Sequence, residues 1–129
     1  MNITLWKDRE NKKVDPLLFS EKAEDLAKQI SESGKKKMNA STQLRRFYDE
    51  VNRLNSQAKN QNADWDAILA QVHMIVAKVA YAQARELVSK DFVTLMKALI
   101  RQVKTREDLQ VFTAFFEAFM GFYKVYRPR

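Results

Sequence analysis

The sequence predicts an all-α protein, a compact bundle of about five helices with an irregular N-terminal arm. The chain of 129 residues contains only two glycines and two prolines, at Gly34, Gly121, Pro16 and Pro128. Capping signals alone therefore interrupt helices between residues 35 and 120, where apolar residues recur at the spacing of one helix face. A hydrophobic content of 46%, with eight Phe, four Tyr and two Trp, indicates a folded core.

The length suits one compact domain, so we divide the chain into an arm of residues 1–15 and a single helical-bundle domain of residues 16–129. The arm is mostly charged or polar, and Leu5 and Trp6 are the residues that could anchor it. Pro16 marks the start of the first helical region, which Gly34 ends.

The second helix, predicted from about residue 41 to residue 59, has two distinct faces. At about 100° per residue, one face is apolar, with Leu44, Phe47, Tyr48, Val51 and Leu54. Arg46 and Arg53 are seven residues apart and lie on the opposite face, while Arg45 lies at the edge of the apolar stripe. The helix therefore resembles a scaffold that presents positive charge.

Three further helices complete the predicted bundle, and short connections favour antiparallel neighbours. A long apolar helix begins near Trp65, and we expect it to be the central one; a fourth begins near Ser89. Thr105 and Asp108 form a capping-box pattern for the fifth helix. The fifth helix is apolar around most of its circumference, so either it is the centre of the bundle or its outer face packs on another subunit.

Positive charge is concentrated around the second helix of a chain whose formal net charge is +7. Residues 1–34 carry six basic and seven acidic side chains, residues 35–59 carry seven and two, and residues 60–129 carry ten and seven. Such a concentration favours polyanions, because each neutralised phosphate releases a condensed counterion. Nucleic acid is therefore the first candidate partner, although basic residues can simply keep a small protein soluble.

Two smaller groups add to the basic pattern. Lys35, Lys36 and Lys37 form a basic loop before the second helix, and the third helix carries Lys78 and Arg85 on one side, with Tyr81 between them. The Tyr81 ring could stack on a base, or it could be a residue of the bundle. Arg85 could bind an anion, pair within its helix, or meet Arg45 across the second and third helices.

The chemistry of an enzyme or a metal site is absent from the sequence pattern. The chain has no cysteine, which excludes disulfides and thiolate metal sites. Its one histidine, His73, has no neighbours at recognisable ligand spacing, and no glycine-rich loop could hold a nucleotide phosphate. We expect no catalytic activity, no metal and no cofactor. Apolar runs are too short for a membrane span and no signal peptide is evident, so we expect a cytoplasmic protein with no membrane partner.

Three separated segments resemble one known family. STQLRRFYDEV in the second helix, VAYAQARE leading into KDFVTLMKALI, and the ending FFEAFMGFYKVY occur in the same order as in the small subunit of the type III-A CRISPR effector, the Csm complex. The resemblance covers residues from about Pro16 to Tyr126. It implies a helical bundle without catalytic activity that stacks in several copies as an inner filament of the complex.

The resemblance also implies partners and binding residues. The partners are single-stranded target RNA, the crRNA-containing complex with its backbone and large subunits, and further copies of the same chain. RNA would be contacted largely independently of its sequence, through the basic residues at matching positions, namely Arg45, Arg46, Arg53, Lys78 and Arg85, with Lys35, Lys36 and Lys37 as weaker candidates.

Two other classes of function compete with this interpretation. The chain could be a helical protein–protein interaction module whose basic face meets acidic protein surfaces without direct contact to nucleic acid. It could also act at a membrane surface, but its arginines lie opposite a stripe that the core needs, which leaves no spare amphipathic helix.

Overall fold

The computed structural model describes residues 2–128, and within that range it contains five α-helices, one short 3-10 helix and no strand. The 3-10 helix spans Pro16–Phe19, and the α-helices are α1 (Glu21–Ser31), α2 (Ser41–Ala58), α3 (Trp65–Ala84), α4 (Lys90–Ile100) and α5 (Arg106–Tyr126). This confirms the predicted all-α bundle. The second helix agrees with its predicted bounds within one residue.

Helix α5 is the centre of the bundle. It packs against α1, α2 and the 3-10 helix, and its inward stripe is fully buried, with Leu109, Phe112, Phe115, Phe116, Phe119 and Tyr123. The aromatic rings contact one another along the helix, with centroids 5.5 Å apart for Phe119 and Tyr123. The inward face of α5 therefore has neighbours on several sides within one chain, whereas Val125 on its outer face is 71% exposed.

Helix α3 is not the central helix, contrary to the prediction from its sequence. It packs only one face, against α2 and α4, and its buried residues are Ile68, Val72, Ile75, Val79 and Ala82. Among residues 2–128, α3 is the one helix long and apolar enough to cross a membrane, yet only 28% of that stretch is buried. Core helices of water-soluble proteins meet the same criterion, so this is weak evidence for a membrane segment.

The described part of the N-terminal arm, residues 2–15, contains no helix but packs against the bundle. Leu5 is fully buried, and its backbone N donates to the Gln102 side-chain oxygen at 2.8 Å. The Trp6 indole and the Arg9 guanidinium both donate to the Asp108 carboxylate, at 2.7 and 2.8 Å. Asp108 also completes the predicted capping box with Thr105, so the arm is attached at the start of α5.

A buried asparagine joins four parts of the bundle. The Asn39 amide donates to the carbonyl of Ile30 at 3.1 Å and to the Ser89 hydroxyl at 2.9 Å, and its oxygen accepts from the Ser89 backbone N at 2.9 Å. The Asn39 backbone N donates to the carbonyl of Leu87 at 2.9 Å, and its carbonyl accepts from the Tyr123 hydroxyl. These bonds connect the end of α1, the start of α2, the α3–α4 loop and α5.

Replacing Tyr123 with Phe tests how much these hydrogen bonds contribute to stability. The change leaves the buried Asn39 carbonyl without its donor, so we expect a loss of about 1–3 kcal/mol in the free energy of unfolding near neutral pH. Burial raises the pKa of the Tyr123 hydroxyl to about 12. In the unfolded chain the pKa of tyrosine is about 10.

The wild-type protein therefore keeps this stabilisation below pH 10 and loses it progressively as the pH rises towards 12. Urea unfolding of both proteins across that interval should show their stability difference shrinking. A difference that stays constant with pH would contradict the assigned role of the hydroxyl.

Candidate nucleic-acid interface

An open cleft of about 330 Å³ lies between α2 and α3. Its floor is apolar and its rim is polar and mostly charged, and the residues that line it are Gln43, Arg46, Phe47, Glu50, Lys78, Tyr81, Ala82, Arg85 and Leu87. Phe47 and Ala82 are buried, so they belong to the contact between the two helices. The structure thus brings together three of the sequence-predicted cations, Arg46, Lys78 and Arg85.

The periodicity of α2 determines which side chains reach this cleft. Leu44, Val51 and Leu54 are fully buried, while Arg46 and Arg53 are exposed on the other side of the helix, as their spacing predicts. Arg45 is also exposed and does not line the cleft. Its guanidinium lies 6.0 Å from the centre of the Tyr48 ring and 3.9 Å from Asp49.

Glu50 binds two of the predicted cations. Its carboxylate accepts from Nε and Nη2 of Arg53, both at 3.0 Å, and from Nζ of Lys78 at 3.4 Å. The hydrogen bond from Arg53 lowers the pKa of Glu50, and the charges of Arg53 and Lys78 help to outweigh the opposing effect of burial. Arg53 also donates to the Gln71 side chain at 3.1 Å. Arg53 and Lys78 are therefore partly neutralised within the chain.

Arg46 and Arg85 differ from this pair, because neither forms an ion pair with any carboxylate in residues 2–128. The Arg85 guanidinium lies over the Tyr81 ring at 5.7 Å from its centroid and does not pair with Arg45. The Tyr81 side chain is 65% exposed. Guanidinium groups suit phosphate oxygens, and an exposed ring offers a face for base stacking.

The lysine run lies outside the cleft lining. Lys35 forms an ion pair with Glu86, and the side chains of Lys36 and Lys37 are exposed. Lys35 borders a different depression, formed with the start of α4. The structure therefore does not bring these three lysines together with Arg46 and Arg85.

Residues 2–128 contain no candidate metal site. No group of three or more His, Asp or Glu side chains is arranged there to hold a metal ion. His73 is exposed on α3.

The sequence interpretation missed a second basic surface, on α4. Lys90, Lys97 and Arg101 are exposed on this helix, and the last two border a cleft together with His73. A signal was present, since positions 90, 97 and 101 recur at helical spacing. Counting charges by segment did not reveal this basic surface, because residues 60–129 also contain seven acidic side chains.

Comparison with known proteins identifies the family. The family model described as Csm2 Type III-A matches residues 14–129, which is nearly the whole chain. No curated protein and no solved structure shows a significant match. The family match agrees with the resemblance carried by the three sequence segments and with the helical bundle. The chain therefore belongs to the Csm2 family and is a small subunit of a type III-A CRISPR effector complex, where it interacts with other Csm subunits.

Proposed function

We propose that this subunit acts without catalysis in the cytoplasm, stacks in several copies along the complex, and binds the backbone of single-stranded target RNA beside the crRNA-bearing subunits. The observation that carries the proposal is the α2–α3 cleft, where Arg46 and Arg85 face solvent without a carboxylate partner in residues 2–128. Both cations lie in the cleft that Tyr81 also lines.

The chemistry of the cleft favours binding without sequence selection. Guanidinium groups contact phosphate oxygens, which every nucleotide carries, and a tyrosine ring can stack on any base. Few side-chain acceptors line the cleft, and the Glu50 carboxylate is already bonded to Arg53 and Lys78. Such a surface positions an RNA strand and does not read its bases.

The short cleft also favours several copies acting together. One copy presents a groove lined by nine residues, so its intrinsic affinity for a long RNA should be modest. Copies linked in one assembly convert later contacts into intramolecular events, which raises the overall affinity without new contacts.

A protein-interaction module remains the second candidate, and the exposed face of α3 favours it. Met74 is 57% exposed and Tyr81 is 65% exposed, and they are seven residues apart on the same side of the helix. Exposed alanines at positions 67, 70 and 77 lie on the same side of the helix. Such a surface could pack against a neighbouring subunit.

The double substitution Arg46→Gln/Arg85→Gln should weaken binding to RNA. Both side chains are exposed and outside the core, so the fold should persist. Because each lost phosphate contact on a single strand reduces the salt slope by about 0.7, the plot of log affinity against log salt should become shallower by about 1.4. Fluorescence anisotropy with a labelled single-stranded RNA over a salt series measures the slope.

Lys28→Gln/Lys124→Gln is the matched control, since it removes two exposed cations from α1 and α5. Equal effects of the two double variants would show that net charge alone, and not the cleft, governs binding.

Glu50→Gln should strengthen RNA binding. The change removes a negative charge from the cleft and releases Arg53 and Lys78 from their shared carboxylate. Since Arg53 and Lys78 hold the pKa of Glu50 below its usual value, the carboxylate is ionised at neutral pH, and the full charge difference applies there. The same anisotropy series should show a higher affinity and a steeper salt slope. Unchanged or weaker binding, with the helical circular dichroism spectrum retained, would argue against this cleft as the RNA site.

A further inference from the structure

The solvent-facing side of α4 carries a basic row of three cations and one threonine. Lys90, Thr94, Lys97 and Arg101 are all exposed, and at 100° per residue they fall within about 60° of one another. At 1.5 Å per residue, the row extends over roughly 16 Å. Within residues 2–128, none of its three cations forms an ion pair. The row thus differs from α2, where Glu50 interrupts the cations.

Helix stability does not account for the whole row. A cation near the C-terminus of a helix interacts favourably with the helix dipole, which would explain Lys97 and Arg101. Lys90 is the first residue of α4, where the dipole disfavours a cation. Lys97 and Arg101 also repel each other at a spacing of four residues. A ligand that carries several negative charges would offset these costs.

A cleft of about 380 Å³ adjoins the row at the α3–α4 contact. Val76 and Ile100 contribute its apolar lining, and His73, Lys97 and Arg101 contribute its polar rim. His73 and Lys78 are about 140° apart on α3, at 100° per residue. This cleft and the α2–α3 cleft therefore lie on opposite flanks of α3, on either side of the exposed Met74.

We propose that the basic row of α4, together with His73, is a second binding site for the sugar–phosphate backbone of single-stranded RNA. The choice of ligand rests on the proposed function. At a spacing of about 3.4 Å per stacked nucleotide, a 16 Å row spans about five phosphates. Lysine is depleted at protein–protein interfaces, and the row has no aromatic anchor, which favours a polyphosphate over a protein partner. Each copy would then hold RNA on both flanks of α3.

Lys97→Gln/Arg101→Gln tests the second site, with Lys28→Gln/Lys124→Gln as the control. Lys97, Lys28 and Lys124 each lie in the last turn of a helix and Arg101 lies just beyond α4, so both double variants lose similar interactions with helix dipoles. Anisotropy of labelled single-stranded RNA over a salt series should give a slope shallower by about 1.4 for the α4 variant and little changed for the control.

Lys90→Gln provides an independent check, because weaker RNA binding by this variant could not be attributed to a destabilised fold. Removing a cation from the first turn should leave the thermal midpoint equal or higher, because the dipole disfavours that charge, while the RNA salt slope falls by about 0.7. A lower midpoint without a change in slope would contradict the assignment.

The outcomes separate the two proposals. An unchanged slope for the α4 variants, alongside a reduced slope for Arg46→Gln/Arg85→Gln, would overturn the second site and leave the α2–α3 cleft standing. No RNA binding by the wild-type protein at low salt would overturn both. If the α4 variants instead lost self-association in sedimentation experiments while the slope stayed constant, the row would be a protein contact and the second site would be wrong.

Discussion

The buried hydrogen bonds of Asn39 constrain the arrangement on which the candidate interface depends. Asn39 has a backbone φ of 60°, a left-handed conformation that asparagine tolerates better than most residues. That conformation precedes α2, and the Asn39 backbone N is bonded to Leu87, just after α3. Arg46 lies about two turns after Asn39, and Arg85 lies two residues before Leu87. Hydrogen bonds of the buried Asn39 therefore hold the start of α2 against the segment after α3 at one end of the cleft, which apolar packing alone would do less specifically.

The pattern of apolar residues could predict the helices because local periodicity and capping determine them. The two faces of α2 and the capping box of Thr105 and Asp108 are local features of this kind. The position of α3 could not be predicted in the same way. Its large apolar residues recur at helical spacing, which suggested a central helix. The rest of its surface is largely alanine, which costs little to expose, so burial is confined to one face. The hydroxyl of Ser41, the first residue of α2, likewise donates to the distant Arg127 carbonyl, a contact that local patterns do not specify.

The sequence could predict which basic residues lie near the candidate interface, but not which of them are paired with carboxylates. Spacing placed Arg46 and Arg53 on one face, yet only the packing of α2 on α3 brings Lys78 to Glu50. The same packing leaves Arg46 and Arg85 without a carboxylate partner within residues 2–128. Ion pairs between helices depend on which helical turns lie opposite each other, and this register between helices cannot be read from local sequence patterns. The basic row of α4 was missed for a different reason. Its residues recur at helical spacing, but the charge count over residues 60–129 combined them with seven acidic side chains.

Under the proposed function, stacking and RNA binding are coupled through charge. Each chain carries a formal charge of +7, so neighbouring copies repel one another wherever their surfaces lie within about 10 Å, the Debye length at 0.1 M salt. This net charge already includes Glu50 and Glu86, which pair with Arg53, Lys78 and Lys35. The remaining cations need an external anion. RNA that neutralises them would lower the repulsion between copies, and by linkage the stacked state would bind RNA more tightly than a single copy does.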